Sequence, residues 1–232
     1  MSLHLLSMVA DLLKPDVTDT NTRHLIRIVI DFETTGLNPY HDSLIEIGAK
    51  NMETGATFGS LIRPKDPFKL TAFITEKTGI TPRMIRREAR DKGWPTQDWI
   101  SGPVSFYEWL QAQHHPESEF VFIAHNGTTF DFILLKQLFR DLRDHGHDIS
   151  AYEGWSYQTL DTLLFARRLL VNQHSFTQEN LCKLFHVPNP QAHRALADVT
   201  ALESIYKELM RLYTKTHEGS LKSVQAYISL QD

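Results

Sequence analysis

Apolar and polar residues alternate along this chain in a pattern that predicts a central β-sheet. Residues 25–33, 43–51 and 56–63 form three strand-like runs joined by short polar segments, which is typical of an antiparallel meander. The run at 120–124 and residues 155–162 predict two further strands. Because helical patterns separate the later strands, we expect an α/β fold with a central mixed β-sheet flanked by α-helices.

Apolar residues spaced three or four positions apart predict helices over most of the remaining chain. The predicted helices span residues 71–79, 81–90, 104–113, 130–143, 161–171, 176–185 and 194–214. We expect an N-terminal helical extension and polar linker at 1–24, a single domain at 25–215 and a C-terminal tail at 216–232.

Composition narrows the functional classes only slightly. The net charge of −4 argues against a polyanionic partner, yet residues 61–92 hold nine Lys or Arg and only four Asp or Glu. Such a segment is either a solvated surface or a set of phosphate contacts. The lone Cys182 excludes an internal disulfide and a cysteine-based zinc site.

The same features predict where the protein works. No apolar run approaches the roughly 20 residues that span a bilayer. The N-terminal run lacks the basic start and the cleavage site of a secretory signal. We therefore expect an intracellular protein, cytoplasmic or nuclear, that is not secreted and has no membrane partner.

Two carboxylates, Asp31 and Glu33, end the first predicted strand in the motif "DFETTG". Residues two apart face the same side of a strand, so both side chains project together. Like charges this close raise each other's pKa unless a cation neutralises them. An exposed strand end, a salt-bridged pair and a divalent metal site would each account for the pair.

Two later motifs place further acidic side chains at the starts of helices. In "HNGTTFD", Asp131 opens a helix, where it could also oppose the helix dipole. In "HRALAD", Asp198 lies one turn before predicted core positions of the last helix. His193 would lie about 140° away from Asp198 on a helix, so we expect it in the preceding loop or the first turn. Together these groups offer the oxygen ligands that Mg²⁺ prefers.

The three motifs resemble those of a known family. "DFETTG", "HNGTTFD" and "HRALAD" are similar, in order and spacing, to the three exonuclease motifs of the DnaQ-like DEDDh 3′–5′ exonucleases. "EKTGIT" and "LDTLLFARRL" also resemble that family, so the likeness covers about residues 25–210. The sequence "AHNG", followed shortly by "FDF", is particularly similar to the corresponding motif of the TREX-type three-prime exonucleases. The resemblance implies an RNase H-like fold.

The resemblance also implies an activity. A member of this family would release nucleoside monophosphates from the 3′ end of single-stranded nucleic acid by a two-metal-ion mechanism. Asp31, Glu33, Asp131 and Asp198 become the ligands of two Mg²⁺ ions, with Mn²⁺ as a substitute, and His193 becomes the general base.

Substrate contacts and partners follow from the same likeness. The backbone of Thr34 and Thr35 and the side chain of Leu37 would hold the terminal nucleotide, with Asn126 and Phe130 beside the site. DNA is favoured over RNA, although discrimination depends on 2′-hydroxyl contacts that no motif displays. The alternative function is a proofreading or processing subunit within a polymerase or other nucleic-acid-processing assembly. A homodimer or a polymerase partner fits the family.

Overall fold

The computed structural model describes residues 24–65, 70–85 and 96–228, with the backbone alone at 96 and 217–228. All but the last residue of the predicted N-terminal extension lie outside this part of the chain. The strands are β1 (His24–Thr34), β2 (Leu44–Asn51), β3 (Thr57–Arg63), β4 (Thr96–Asp98), β5 (Ser118–Ala124) and β6 (Ser156–Asp161). The helices are α1 (Ala72–Thr78), α2 (Ser101–Gln113), α3 (Asp131–Asp144), α4 (Ser150–Gly154), α5 (Thr162–Leu169), α6 (Gln178–Phe185) and α7 (Ala195–Ile228).

The six strands form one mixed sheet in the order β4-β3-β2-β1-β5-β6. β1, β2 and β3 pair antiparallel as the predicted meander, whereas β1 with β5, β5 with β6 and β3 with β4 are parallel pairs. The predicted mixed sheet is thus confirmed. β4 escaped prediction because its three residues, "TQD", are polar and carry no strand pattern.

The predicted helices agree with the structure to within a few residues, with three differences. The helix α4 was not predicted, because its five residues are too few to show helical periodicity. The predicted helix at 81–90 is described only as far as 85, and residues 82–85 are helical. α7 continues to Ile228, so the expected domain boundary at residue 215 falls inside this helix. Within the described residues, no helix is both long and apolar enough to cross a bilayer.

Alternation along β1 decides which helices cover each face of the sheet. Ile28, Ile30 and Phe32 pack against α2 and α3 in one apolar core. Val29 faces the other side, where it belongs to the core formed with α5, α6 and α7. Because side chains two apart share a face, the acidic end of β1 lies on the α7 side of the sheet.

Candidate active site

The ends of three elements meet in one open cleft. Asp31 and Glu33 come from β1, Asp131 opens α3, and Asp198 lies in the first turn of α7, with His193 just before it. The cleft has a volume of about 1320 Å³, more than the roughly 300–1,000 Å³ of most small-molecule pockets. The structure therefore brings together all five residues that were predicted to act, in a space that suits a polymer end.

The deepest pair of carboxylates has unmet bonding capacity. Asp131 is 4 % exposed, and its Oδ1 accepts a hydrogen bond from the backbone N–H of Phe32 at 3.1 Å, which ties α3 to β1. Oδ2 of Asp31 is buried and has no hydrogen-bond partner among the described residues. A buried carboxylate oxygen without a partner is costly unless a cation binds it. The residues present therefore fit a divalent metal ion.

The pKa values of the cluster point the same way. Burial raises the pKa of Asp131 to about 7. Burial, with the charges of Asp198 and Glu46, raises the pKa of Glu33 to about 8. Burial and then the charge of Glu33 raise the pKa of Asp31 well above its usual range. Burial is the largest cause of each shift, and neighbouring carboxylates add to it; bound cations would offset both effects.

Two neutral amides hold the Asp198 carboxylate. Nε2 of Gln178 donates to Oδ1 of Asp198 at 3.1 Å and to its backbone carbonyl at 3.0 Å. Nδ2 of Asn189 donates to the same Oδ1 at 2.7 Å. Thr177 caps α6 and so places Gln178 in its first turn. Amide donors orient a carboxylate without neutralising it, which keeps its charge for a cation. Sequence reasoning missed both amides.

His193 occupies the turn before α7, as expected, and is exposed. Its backbone has φ 65°, in the left-handed region that few residues other than glycine adopt. One of its ring nitrogens and one carboxylate oxygen each from Glu33 and Asp198 all lie within 4.8 Å of one another. A histidine at this position can reach both the acidic cluster and solvent.

The loop that follows β1 forms one rim of the cleft. The side chain of Thr35 is buried in this loop, where it donates to Asp42 at 3.2 Å and accepts from the N–H of Ser43 at 3.0 Å. The backbone N–H of Thr35 donates to the carbonyl of Ser43 at 2.9 Å, so the part of the backbone that the resemblance assigns to a nucleotide is already partly engaged within the loop. A Cβ on Gly36 would lie 2.5 Å from Oδ2 of Asp42, so this turn needs a glycine. Leu37 is thereby presented outward, 68 % exposed.

The opposite rim is the loop between β5 and α3. Asn126 has a left-handed backbone with φ 62°, and its N–H donates to Asp161 Oδ1 at 3.0 Å. Asp161 Oδ2 accepts from Thr128 N–H, and its Oδ1 also caps α5. Asp161 thus fixes this loop through backbone donors to both of its oxygens. Thr34, Leu37, Asn126 and Phe130 line the cleft, and Phe130 also packs against the apolar core.

The basic segment supplies one cation to the cleft within its described part. Lys77 of α1 lines the cleft, and its positive charge offsets part of the rise in the pKa of Glu33. Residues 66–69 and 86–95 of this segment lie outside the described residues. Within the described part of the segment, Lys77 is the basic side chain that lines the cleft.

Comparison with known proteins identifies the family. A family model described as Exonuclease (RNase T) matches residues 28–206, a span that contains all three acidic motifs. The chain belongs to the exonuclease family. The predicted relationship to the DnaQ-like 3′–5′ exonucleases is confirmed.

Relatives of this exonuclease include much longer proteins. The chain is 29% identical over 202 residues to the PolC-type DNA polymerase III of Caldanaerobacter subterraneus, covering 85% of this chain and 12% of that protein. It is 33% identical over 184 residues to the PolC-type DNA polymerase III of Mycoplasmopsis pulmonis, covering 77% of this chain and 11% of that protein. The chain therefore spans about an eighth of these relatives. The particular likeness to TREX-type enzymes stays a prediction.

Solved structures support the fold of the exonuclease. E. coli exonuclease I in complex with an oligonucleotide matches with a TM-score of 0.63 at 20% identity, over 87% of this chain and 43% of that one. A further exonuclease I structure matches with a TM-score of 0.62 at 21% identity, over 84% of this chain and 44% of that one. The expected RNase H-like exonuclease fold is confirmed.

Without bound metal, the chain is expected to lose thermal stability as the pH rises from about 6.5 to about 8. The pKa values of Asp131, about 7, and Glu33, about 8, are raised in the folded chain. The folded state therefore holds protons that the unfolded state has released, so raising the pH favours unfolding. His114 and His125 have lowered pKa values and give the opposite slope, but only below about pH 6.5.

Thermal melts in EDTA across this window measure the effect. We expect the Tm to fall by several degrees, and millimolar Mg²⁺ to raise the Tm more at the upper end of the window than at the lower end. The double variant Glu33→Gln, Asp131→Asn is the control and should show a flatter dependence. A Tm in EDTA that stays constant from pH of about 6.5 to about 8 would contradict the raised pKa values of Asp131 and Glu33.

Proposed function

We propose that this domain is a divalent-metal-dependent 3′–5′ exonuclease that releases nucleoside monophosphates from single-stranded nucleic acid, with DNA favoured over RNA. The observation that carries the proposal is the convergence of Asp31, Glu33, Asp131 and Asp198 on one cleft, with a buried oxygen of Asp31 that has no partner among the described residues. Membership of the exonuclease family supports it, as does the shared fold with an exonuclease I bound to an oligonucleotide.

The four carboxylates would hold two Mg²⁺ ions, or Mn²⁺ in their place. When bound, such ions offset the charge of the scissile phosphate and increase the acidity of water. Gln178 and Asn189 hold Asp198, and the N–H of Phe32 holds Asp131, so that two of the four ligands are oriented before substrate arrives. This arrangement limits the reorganisation that accompanies the reaction.

His193 would act as the general base, which assigns the domain to the DEDDh type. A ring nitrogen takes a proton from the attacking water, the water oxygen bonds to phosphorus, and the bond from phosphorus to the 3′ oxygen of the preceding nucleotide breaks. That oxygen then takes a proton from solvent. The exposed position of His193, beside Glu33 and Asp198, lets it pass its proton back to solvent after each turnover. General-base catalysis of this kind typically contributes about 10²–10⁴-fold.

The cleft offers a path for the strand leading away from the carboxylates. Leu37 lines both the cleft and a second hollow, and Phe73 of α1 also lines this second hollow. Phe73 is 59 % exposed, and an exposed aromatic ring beside a nucleic-acid cleft suits base stacking. Lys77, one turn further along α1, would contact a phosphate. The backbone of Thr34 and Thr35 and the amide of Asn126 would border the terminal nucleotide, with Phe130 packed beside it.

A second candidate function is proofreading within a polymerase assembly. The PolC-type relatives favour it, because in each of them the matching segment is a small part of a DNA polymerase. The same chemistry would then act on a 3′ end delivered by a partner, and activity of the isolated domain would be low until that partner is added.

Matched single-stranded DNA and RNA, labelled at the 5′ end, test the proposal. With Mg²⁺ or Mn²⁺ we expect a ladder that shortens from the 3′ end, and EDTA should abolish it. A strand labelled at its 3′ end is the control for direction, because it should release labelled mononucleotide from the start. The faster polymer identifies the preferred substrate. Failure to degrade either polymer with any metal would contradict an autonomous enzyme.

A further inference from the structure

The start of α7 carries both His193 and Asp198, and it is fastened to strand β2 by a buried ion pair. Glu46 on β2 is 1 % exposed. Its Oε1 accepts from Nη2 of Arg194 at 2.9 Å, and both its oxygens lie 3.3 Å from Nε of Arg194. Oε2 also accepts from the backbone N–H of Ala195 at 3.0 Å, at the first residue of the helix. Both oxygens of Glu46 are therefore engaged by the residues around the start of α7.

Backbone packing reinforces this contact two residues along β2. A Cβ on Gly48 would lie 2.4 Å from the carbonyl carbon of Ala195, so the strand and the helix approach each other too closely for any side chain there. Glu46 and Gly48 share a face of β2. The start of α7 is thus held at two adjacent points of the strand.

The position of Glu46 in the sheet connects this fastening to the active site. Glu46 lies directly opposite Glu33 in the β1–β2 register. The sheet fixes the distance between these two strands, and the ion pair fixes the helix to β2. The separation of Glu33 from His193 and Asp198 is therefore set through Glu46 and Arg194.

We propose that Glu46 and Arg194 are a positioning pair that sets where His193 and Asp198 stand relative to the carboxylates of β1. The inference rests on the proposed nuclease function. Glu46 itself is not a metal ligand, because Arg194 and the N–H of Ala195 occupy its oxygens. A buried ion pair adds little net stability compared with apolar residues of the same size. Positioning the start of α7 would explain why a buried ion pair stands here, since its net contribution to stability would not.

A second ion pair between β2 and α7 provides a control for this proposal, and its Glu203 also pairs with Lys207 at 2.6 Å. Nζ of Lys50 on β2 lies 2.6 Å from Oε2 of Glu203 on α7, and both side chains are mostly buried. This second ion pair joins the same strand to the same helix, but about one and a half turns beyond Asp198. If ion pairs between β2 and α7 serve only to hold the fold, removing either one should have the same kinetic consequence.

Steady-state kinetics on an oligonucleotide with saturating Mg²⁺ test the proposal on the whole chain. Arg194→Gln and Glu46→Gln should each lower kcat by about 10–100-fold, with KM changed less than threefold, because small displacements of catalytic groups have effects of this size. The double variant should be no slower than the worse single variant. Arg194→Lys should recover part of the loss, since it keeps the charge without the two-pronged geometry. Lys50→Gln should lower the Tm while keeping kcat within twofold of the unchanged protein.

Binding measurements separate this inference from the proposed function. Calorimetric titration should show that Arg194→Gln binds Mn²⁺ more weakly than Lys50→Gln does, even if the two variants have the same Tm. The reason is that Arg194→Gln displaces Asp198, one of the proposed metal ligands. An unchanged kcat in Arg194→Gln, Glu46→Gln and Arg194→Lys, with Tm shifts like that of Lys50→Gln, would overturn the positioning role. An unmodified chain that binds Mn²⁺ but degrades no polymer would instead count against the proposed function.

Discussion

Replacing Asp31 by asparagine is expected to abolish nucleotide release, with a fall in kcat of about 10³-fold or more, because several kcal/mol of electrostatic stabilisation depend on the bound cations. Burial, and then the charges of Glu33, Asp131 and Asp198, raise the pKa of Asp31. Its Oδ2 is buried without a partner in the described residues. Asparagine keeps the shape but lacks the charge, and either a neutral oxygen or an N–H donor would face the site.

Two measurements distinguish this loss from unfolding. In EDTA at pH of about 8, Asp31→Asn should melt no lower than the unchanged chain, because one strained negative charge has been removed from the cluster. Calorimetry with Mn²⁺ should show weakened or absent binding. Asp141→Asn is the matched control, since Asp141 lies on the same helix as Asp131 but outside the cleft, and it should keep both activity and Mn²⁺ binding. An Asp31→Asn protein with normal Mn²⁺ binding would contradict its role as a ligand.

Local sequence patterns could predict the acidic cluster because each member sits at a recognisable end of an element. Alternation along β1 places Asp31 and Glu33 on the face of Val29, and helical periodicity places Asp198 on the face of Leu202. Both Val29 and Leu202 belong to the core between the sheet and α7. Two independent periodicities therefore bring acids from distant segments together, before any contact is known.

The supporting residues could not be predicted in the same way. Glu46 contacts Ala195 across 149 positions of the chain, and Gln178 contacts Asp198 across 20. Such pairs depend on how helices dock on the sheet, which no local pattern specifies. Glu46 sits in an apolar strand, where its burial would be costly without Arg194. Asn189 lies between two prolines in a loop with no periodicity at all. The candidate metal ligands could be predicted because they lie at the ends of strands and helices, whereas the residues that hold them are brought close only by tertiary packing.

Replacing His193 by alanine is expected to lower kcat by about 10²–10⁴-fold while the affinity for an oligonucleotide changes little. The imidazole is exposed, and the structure shows no core packing that its removal would disturb among the described residues. In the proposed mechanism it supplies a proton acceptor, and one of its ring nitrogens lies within 4.8 Å of carboxylate oxygens of Glu33 and Asp198. Water alone can reach the same position but is a far weaker base.

A second histidine that lines the cleft, His186, provides the control. His186 also lines the cleft and also has a left-handed backbone, with φ 55° against 65° for His193, so both alanine substitutions carry the same backbone cost. His186→Ala should keep most of its kcat, whereas His193→Ala should not. Free imidazole should restore part of the lost rate in His193→Ala, because the vacated position opens to solvent. If His193→Ala retained most of its turnover at neutral pH, another group would have to accept the proton, and the histidine would be left with a role in binding alone.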